Sequence, residues 1–362
     1  MKDLENDISN RKRKSSLSRI DSLRDKSGTI IEDPLKVSNC LNDHFSTVGA
    51  KMANEINSQT NDTKDPLTYI RKNVKDSLFM NYTCTSEIID CISKMENKKS
   101  SGYDCISNSS ILKSTNHVIA PYLEILYNCC IYHGIFPDAF KIVQVIPLFK
   151  GGNKLDCSNY RPISLLPTIG KLLEKLLSAR LINHLNANNI LSKHQYGFRK
   201  NHSTELAVND IHEKLLHNLD KGLNSCTVFL DLAKAFDSVD HTILLQKLHK
   251  YGVRGIALKL FESYLSNRSQ FVKVNGIKSS IQYILYGVPQ GSILGPLLFL
   301  IFINDLPNST NLFVKLFADD TFLCAQNADF KLLESEVNSD LDKVADWLLA
   351  NKLTLNVKNL SI

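Results

Sequence analysis

Apolar residues recur at helical spacing in five segments of the chain, and this pattern predicts amphipathic helices. In residues 34–56, Val37, Leu41, Phe45 and Val48 fall on one face of such a helix. The segment 204–222 has the same spacing and is closed by a glycine, which is typical of a helix C-terminus. The pattern predicts three further helices. One begins near Thr85, one covers 117–134 and one covers 169–185.

Three other segments have the composition of β-strands. The first, KIVQVIPLFK at 141–150, is rich in β-branched residues and runs into a Gly-Gly turn. The second, CTVFLDL at 226–232, is a short apolar run, and the third, LFVKLFADDTFLCAQ at 312–326, has the residues of a buried hairpin. Polar stretches at 58–65 and 97–107 predict a linker and a loop.

Composition narrows the class of protein only a little. The 362 residues are 43% hydrophobic, which is enough for a sizeable core and suggests roughly two domains. A formal net charge of +6 is compatible with a nucleic-acid partner without demanding one. The basic run RKRKSSLSR at 11–19 is either a nuclear-targeting or nucleic-acid-binding patch or a solvated segment.

The spacing of the cysteines and the lengths of the apolar runs indicate the cellular compartment of the protein. The nine cysteines are scattered without a C-x-x-C pair, which argues against a disulfide framework and a structural zinc site. The first residues contain no run of signal-peptide length, and the longest apolar run, 293–303, is too short to span a bilayer. We therefore expect an intracellular protein, in the nucleus or cytoplasm, without membrane association.

Three carboxylates occupy apolar surroundings. Asp319 and Asp320 lie in the middle of the hairpin, and Asp231 ends the strand at 226–232. A buried carboxylate is costly unless it is paired or protonated. If the strands are neighbours, the three groups converge where divalent cations neutralise them, and two Mg²⁺ ions can serve an in-line phosphoryl transfer. Taken separately, each signal is weak, because an Asp that ends a strand is usually a helix cap or turn former and an Asp-Asp pair in a hairpin is usually a turn.

The motifs around these carboxylates resemble those of the reverse transcriptases of non-LTR, LINE-type retrotransposons. Phe317-Ala318-Asp319-Asp320 is similar to the F/Y-x-D-D hairpin of that family. Asp231 with Ala235-Phe236-Asp237 is similar to its first palm motif. GVPQGS at 287–292 resembles its loop–helix motif, and NYRPISLL at 159–166 and QYGFR at 195–199 resemble its fingers motifs.

The resemblance implies an α+β fold with the fingers and palm of a right-hand polymerase, in which an antiparallel palm sheet packs on helices. By this analogy, 96–225 form the fingers and 226–362 the palm, after a helical and partly flexible extension over 1–95. The segment 347–362 resembles the next palm motif, but Lys358 lies one position early relative to Asn356. Because the chain stops at Ile362, the primer grip and the thumb are expected to be missing.

The resemblance also implies roles in chemistry. Asp231 and Asp319 would bind two Mg²⁺ ions, with Mn²⁺ as a possible substitute, and Asp320 would be the third, supporting carboxylate. Phe236 would lie under the sugar of the incoming nucleotide, where its ring excludes a 2′-hydroxyl. The alternative for Phe236 is an ordinary place in the core.

Further residues would contact the substrates. Lys150 and Arg161 would grip the triphosphate, as an ammonium and a guanidinium fork do, unless both are simply solvated. The glycines of the loop 287–292 allow a close backbone approach to a ligand, and Ser292 can cap the next helix, although an ordinary loop–helix junction has the same residues. By resemblance, Gln290 and Gly291 line the nascent base pair. Template or primer contacts are implied for Arg199, Gly287 and Pro289.

The function implied is that of an RNA-directed DNA polymerase, which adds dNTPs to a primer 3′-hydroxyl. Its partners would be an RNA template, a DNA primer and dNTPs. Three alternatives stay open: a catalytically idle relic that binds RNA, an RNA-directed RNA polymerase, and, more distantly, a carboxylate-dependent nuclease. The intact carboxylates and Phe236 argue against the relic, whereas the expected absence of the thumb argues for it. Phe236 argues against the RNA polymerase.

Overall fold

The fold is seen in a computed structural model that describes residues 19–59, 64–96, 101–104, 106 and 111–356. Of the basic run at 11–19, only Arg19 is among them. Parts of the predicted linker at 58–65 and loop at 97–107 also lie outside the described residues, as does Lys358.

The described residues form ten α-helices and ten β-strands, and the five predicted helices lie close to their expected positions. The helices are α1 (Pro34–Gln59), α2 (Thr85–Ser93), α3 (Ile111–Ser114), α4 (Asn116–His133), α5 (Thr168–Ala187), α6 (Thr204–Asp220), α7 (His241–Lys250), α8 (Gly255–Leu265), α9 (Leu294–Phe302) and α10 (Phe330–Ala350). The strands are β1 (Leu23–Arg24), β2 (Ile30–Ile31), β3 (Ile142–Phe149), β4 (Tyr160–Leu165), β5 (Asn224–Leu230), β6 (Arg268–Val274), β7 (Ile277–Lys278), β8 (Gln282–Ile284), β9 (Phe313–Phe317) and β10 (Asp320–Asn327).

Local sequence explains where several helices begin and end. Ser203 accepts a hydrogen bond from the Leu206 amide at the start of α6. Asp240 and Asp329 do the same for the first amides of α7 and α10, which would otherwise lack partners. Gly134 ends α4 with a positive φ of 65°, a conformation that glycine adopts without steric cost.

A three-stranded antiparallel sheet, in the order β5–β10–β9, forms the centre of the second half of the chain. Within β5, Val228 and Leu230 are buried while Phe229 between them is exposed, so one face of the sheet packs on the core. The predicted strand at 226–232 and hairpin at 312–326 are both found, and they are neighbours.

A second sheet has the order β4–β3–β6–β7, with β8 also paired to β6. Strands β3 and β6 run parallel, and the other pairs of this sheet are antiparallel. Helix α1 packs across β6, β7 and β8. This mixture of separate helices and mainly antiparallel sheets confirms the α+β class.

Two hydrophobic clusters hold these layers together. The larger one runs from Val74 to Leu353 and includes the buried faces of α5 and α9. The smaller one joins Ile20, Leu23 and one face of α1 to strands β3, β4 and β6. In the described part of the chain, no helix has the length and apolar character needed to cross a membrane.

Candidate active site

Asp231 lies beside the two carboxylates of the hairpin. Thr321 of β10 pairs with Leu230 of β5, and these two residues are the neighbours of Asp320 and Asp231 along the chain. The two carboxylates therefore sit at the same end of adjacent strands, next to Asp319 at the hairpin tip. The prediction that the strand carrying Asp231 pairs with the hairpin is confirmed.

The hairpin tip has an unusual backbone. Phe317 pairs with Asp320, so Ala318 and Asp319 are the two residues of the connecting loop. Ala318 has a positive φ of 56°, the sign that tight two-residue hairpins require at their first central position. A residue with a Cβ pays for this conformation, so the surroundings must hold it in place.

Burial and the proximity of other carboxylates disfavour the ionised forms of Asp319 and Asp320. Burial raises the pKa of Asp319, and the charges of Asp320 and Asp231 raise it further, while Arg161 lowers it. Burial and Asp231 likewise raise the pKa of Asp320. The folded chain therefore holds carboxylates that a bound cation would relieve of mutual repulsion.

A cleft of about 590 Å³ gathers most of the predicted site residues. Asp231 and Asp319 lie on its wall, together with Asn356 from the end of the described chain. The predicted residues that line this cleft are Lys150, Arg161, Asp231, Phe236, Gln290 and Asp319. They come from segments up to 169 positions apart, since Lys150 lies on the β3–β4 turn and Asp319 on the hairpin tip.

Of the three predicted carboxylates, only Asp231 and Asp319 line this cleft, and Asp237 is a further carboxylate on its wall. Asp320 instead lines a neighbouring cavity, which it shares with Asp231. Within the described residues, no three His, Cys, Asp or Glu side chains are grouped so as to hold an ion by themselves. Mg²⁺ is commonly held by one or two carboxylates and completed by substrate phosphates and water, so Asp231 and Asp319 fit such a site. A metal-binding role for Asp320 stays a prediction.

Three cations lie on the cleft beside the carboxylates. Arg161 pairs with Leu148 across the β3–β4 ladder, and the Lys150 amide donates to the Asn159 carbonyl at 2.8 Å. Burial lowers the pKa of Lys150, and the charges of Lys234 and Arg161 lower it further. Such crowded cations favour a polyanionic ligand.

Lys234 was not predicted as a site residue, although it lies between Asp231 and Phe236 in the same motif. It has a positive φ of 51°, and it lines the cleft. The available signal was a lysine three positions after the first carboxylate, which alone is common on any surface.

Phe236 packs against the core and also borders the cleft, and its place under the sugar of a nucleotide stays a prediction. Its ring stacks on the buried Phe299 at 4.5 Å between centroids and meets Phe198 edge to face at 6.1 Å. It is also one of the residues that line the cleft. One side of the ring therefore belongs to the core, while the residue still contributes to the cavity wall.

The loop 287–291 is held tightly against the chain itself. A Cβ on Gly287 would lie 2.8 Å from the Asp237 backbone, and one on Gly291 would lie 2.6 Å from the Ser164 carbonyl oxygen. The chain's own backbone therefore approaches these glycines closely, and a close approach to a ligand stays a prediction. Pro289 accepts hydrogen bonds from the Ser292 amide and hydroxyl. Contacts of this loop with template or primer stay predictions.

Gln290 is oriented by a carboxylate that the sequence analysis did not select. Its Nε2 donates to Asp237 Oδ1 at 2.9 Å, and its carbonyl accepts from the Ser164 amide at 2.8 Å. Burial raises the pKa of Asp237 to about 6, against the opposing effect of Lys234 and of this hydrogen bond. Gln290 is thus fixed at both its backbone and its side chain on the wall of the cleft.

The first amides of helix α9, which follows this loop, donate to a buried carboxylate of another helix. Ser292 Oγ accepts from the Gly295 amide at 2.9 Å, so its predicted capping role is confirmed. Glu174 Oε2 of α5 accepts from the amides of Ile293 and Leu294. Burial raises the pKa of Glu174, and these hydrogen bonds and the charge of Arg268 oppose that effect.

Arg199 is engaged within its own loop. Its Nη1 donates to the carbonyl oxygens of Ser192 at 2.7 Å and Gln195 at 3.2 Å. It is not among the residues that line the carboxylate cleft. The predicted contact of Arg199 with a template stays a prediction, and its visible role is to shape the segment that follows α5.

Comparison with known proteins agrees with the resemblance. A sequence profile described as "Reverse transcriptase (RNA-dependent DNA polymerase)" matches residues 150–360, more than half of the chain. The RNA-directed DNA polymerase from mobile element jockey of Drosophila melanogaster is 31% identical over 288 residues, which cover 77% of this chain and 31% of that protein. The probable RNA-directed DNA polymerase from transposon BS of the same species is 32% identical over 292 residues, 79% of this chain and 31% of that protein.

A third relative, the probable RNA-directed DNA polymerase from transposon X-element of Drosophila melanogaster, is 33% identical over 240 residues, 65% of this chain and 26% of that protein. The chain therefore spans about a third or less of the length of these relatives. The predicted resemblance is confirmed: this chain belongs to the reverse transcriptase (RNA-dependent DNA polymerase) family, in its non-LTR retrotransposon branch.

Proposed function

We propose that the chain carries the polymerising centre of an RNA-directed DNA polymerase, which extends a DNA primer on an RNA template with dNTPs. The observation that carries this proposal is the shared cleft, where Asp231 and Asp319 lie together with Lys150 and Arg161. Carboxylates that hold metal ions and cations that hold phosphates are the two requirements of nucleotidyl transfer.

The same proposal assigns the layers to parts of a right-hand polymerase. The β5–β10–β9 sheet and the helices behind it belong to the palm, over 226–362, and the β3–β4 hairpin belongs to the fingers, over 96–225. Residues 1–95 are an extension whose described part contains helices α1 and α2. The pairing of β6 with β3 joins the two proposed parts into one sheet, so their relative position is supported by backbone hydrogen bonds.

The carboxylate oxygens of Asp231 and Asp319 are the kind of ligand that Mg²⁺ and Mn²⁺ prefer. Asp231 and Asp319 would hold Mg²⁺, or Mn²⁺ in its place, with Asp320 raising the local negative field. When bound, two such ions activate the attacking hydroxyl and stabilise the leaving oxygen. The raised pKa of Asp319 supports this, because a bound cation would stabilise the ionised form that burial, and then the charges of Asp320 and Asp231, disfavour.

The side chains around the carboxylates orient the substrate. Lys150, Arg161 and Lys234 would hold the triphosphate, and Phe236, supported by Phe299, would form the floor under the sugar. Gln290, held by Asp237, and Gly291 would border the nascent base pair. Arg199, Gly287 and Pro289 would contact or shape the path of template and primer.

The alternatives are less well supported. An RNA-directed RNA polymerase would need room for a 2′-hydroxyl, and the Phe236 ring borders the cleft where that group would lie. A catalytically idle RNA-binding relic needs no retained carboxylate pair on a cation-lined cleft. The expected location in the nucleus or cytoplasm is part of the same proposal.

Primer extension tests the proposed function. The full chain is incubated with an RNA template, a DNA primer, Mg²⁺ and either dNTPs or rNTPs, and Asp231→Asn is the matched control. We expect template-dependent extension with dNTPs that the control lacks. Extension with rNTPs alone would favour the RNA polymerase, and no extension beside measurable RNA binding would favour the relic.

A further inference from the structure

The segment 194–196 lies along the outer edge of the carboxylate hairpin, which we define as residues 313–327. Gln195 pairs with Leu316 in parallel. The Tyr196 amide donates to the Leu316 carbonyl at 2.8 Å, and the Leu316 amide donates to the His194 carbonyl at 2.8 Å. The segment thus extends the central sheet by one short strand on the side of β9.

The side chain of Gln195 reaches the tip of this hairpin. It is only 2% exposed. Its Oε1 accepts from the Ala318 amide at 3.0 Å and from the Gly197 amide at 2.8 Å, and its Nε2 faces the Ala318 carbonyl oxygen at 3.5 Å. One buried side chain therefore engages both backbone polar groups of Ala318.

Ala318 is the residue of the hairpin that most needs such support. Its φ of 56° is unfavourable for a residue with a Cβ. It is bonded directly to Asp319, so its backbone conformation sets the direction in which the Asp319 carboxylate leaves the turn. A buried amide without a partner would add a further penalty to the same conformation.

The rest of the segment is fixed to the hairpin independently of Gln195. A Cβ on Gly197 would overlap the Ala318 backbone nitrogen, so only glycine permits this approach. The Tyr196 hydroxyl is hydrogen-bonded to Asp210 and accepts from Lys315 of β9 at 2.9 Å. Gln195 is therefore presented to the hairpin tip from a firmly held backbone.

We propose that Gln195 is a positioning residue that places the Asp319 carboxylate in the cleft by holding Ala318 in its left-handed conformation. This inference rests on the proposed function, because it assigns Gln195 to the polymerisation site. It predicts that loss of the Gln195 amide group moves a metal ligand while leaving the remaining fold intact.

The test compares Gln195→Met, which keeps the length of the side chain and removes its hydrogen bonds, with Gln270→Met. Gln270 is a buried glutamine of the second sheet, bonded to Asn42 at 3.0 Å, so it controls for the loss of a buried amide elsewhere. We expect Gln195→Met to raise the Mg²⁺ concentration for half-maximal primer extension by about 10- to 100-fold. The Mn²⁺ dissociation constant, measured by electron paramagnetic resonance without nucleotide, should rise in parallel.

A second variant separates positioning from a general structural role. Glycine adopts a positive φ without steric cost, so Ala318→Gly should restore much of the metal affinity in the Gln195→Met background. Thermal unfolding at matched conditions reports the stability of each variant. Lower stability with unchanged metal affinity would overturn the inference and leave the proposed function standing.

The two hypotheses fail in different ways. If the unaltered chain extends no primer, the proposed function fails, and the inference is judged on the Mn²⁺ titration alone. Equal Mn²⁺ binding by the unaltered chain and Gln195→Met would then overturn the inference. A weaker Mn²⁺ affinity in Gln195→Met that Ala318→Gly reverses would support it.

Discussion

The side chain of Asn356 donates a hydrogen bond from Nδ2 to Asp231 Oδ2 at 3.0 Å, and its backbone amide donates to the Asp231 carbonyl at 2.8 Å. The chain that follows α10 thus returns to the first carboxylate, beside the pairing of Leu232 with Leu355. Asn356 was predicted only as part of a motif, and the structure gives it a contact at the candidate site.

Asn356→Ala should lower polymerase activity by about 10- to 100-fold, because second partners of metal-binding carboxylates have effects of that size. The measurement is primer extension at saturating dNTP over a range of Mg²⁺. Thr354→Val is the control, because the Thr354 hydroxyl is buried without a hydrogen-bond partner in the same segment. Equal losses in both variants would show that Asn356 acts only through the stability of the segment.

Asp319→Asn should reduce activity by several orders of magnitude, because it removes a ligand from the step that needs charge neutralised. The same change should not weaken the fold at neutral pH. The folded pKa of Asp319 is raised, so the ionised carboxylate costs stability as pH rises through that pKa, and Asn escapes this cost. Activity assays and urea denaturation measure the two effects. An active Asp319→Asn protein would refute the mechanism.

Phe236→Val should raise the use of rNTPs relative to dNTPs by roughly two orders of magnitude, because a steric barrier beside the sugar is removed. The measurement is kcat/KM for single-nucleotide addition with each sugar. Phe299→Leu is the control, because it disturbs the same ring stack from the core side. An unchanged ratio in Phe236→Val would make Phe236 a core residue only.

Asp237→Asn should change how stability depends on pH. The folded pKa of about 6 lies above the usual value near 3.9, so the folded chain binds this proton more tightly than the unfolded chain does. The resulting stabilisation is complete below about pH 4 and is lost as pH rises through about 6. Asn keeps an acceptor for Gln290 but does not titrate. Urea denaturation at several pH values should therefore show the unaltered chain losing stability relative to the variant, and parallel curves would contradict this.

Gly287→Ala should destabilise the fold more than Gly276→Ala does. Both glycines have nearly the same positive φ, 83° and 85°, but an added Cβ meets the Asp237 backbone only at Gly287 and open space at Gly276. The shared conformational cost cancels, and the steric overlap leaves a difference of about 1–3 kcal/mol in the free energy of unfolding. Equal effects would mean that the loop moves away without cost.

Local pattern was enough to predict the strands that carry the three carboxylates. Helical spacing located α1, α4, α5 and α6, and apolar runs located β3, β5 and the carboxylate hairpin. The apolar residues of these elements recur with a clear period because each element buries one face. Strand β6 was not predicted, since Arg268, Ser269 and Gln270 are polar and yet buried between neighbouring strands. Strand β6 forms despite its polar composition because it pairs with strands on both of its edges and is covered by α1.

The sequence by itself determined the family, through motifs whose order matches that of reverse transcriptases, and it singled out the three carboxylates and Phe236 as the residues predicted to carry chemistry. Only the tertiary structure decided how they are held. Gln195 meets Ala318 across 123 positions, Glu174 meets Ile293 across 119, and Asn356 meets Asp231 across 125. Sequence periodicity reports the face that a residue presents within its own element, whereas a hydrogen bond between distant segments exists only once packing has fixed their relative position.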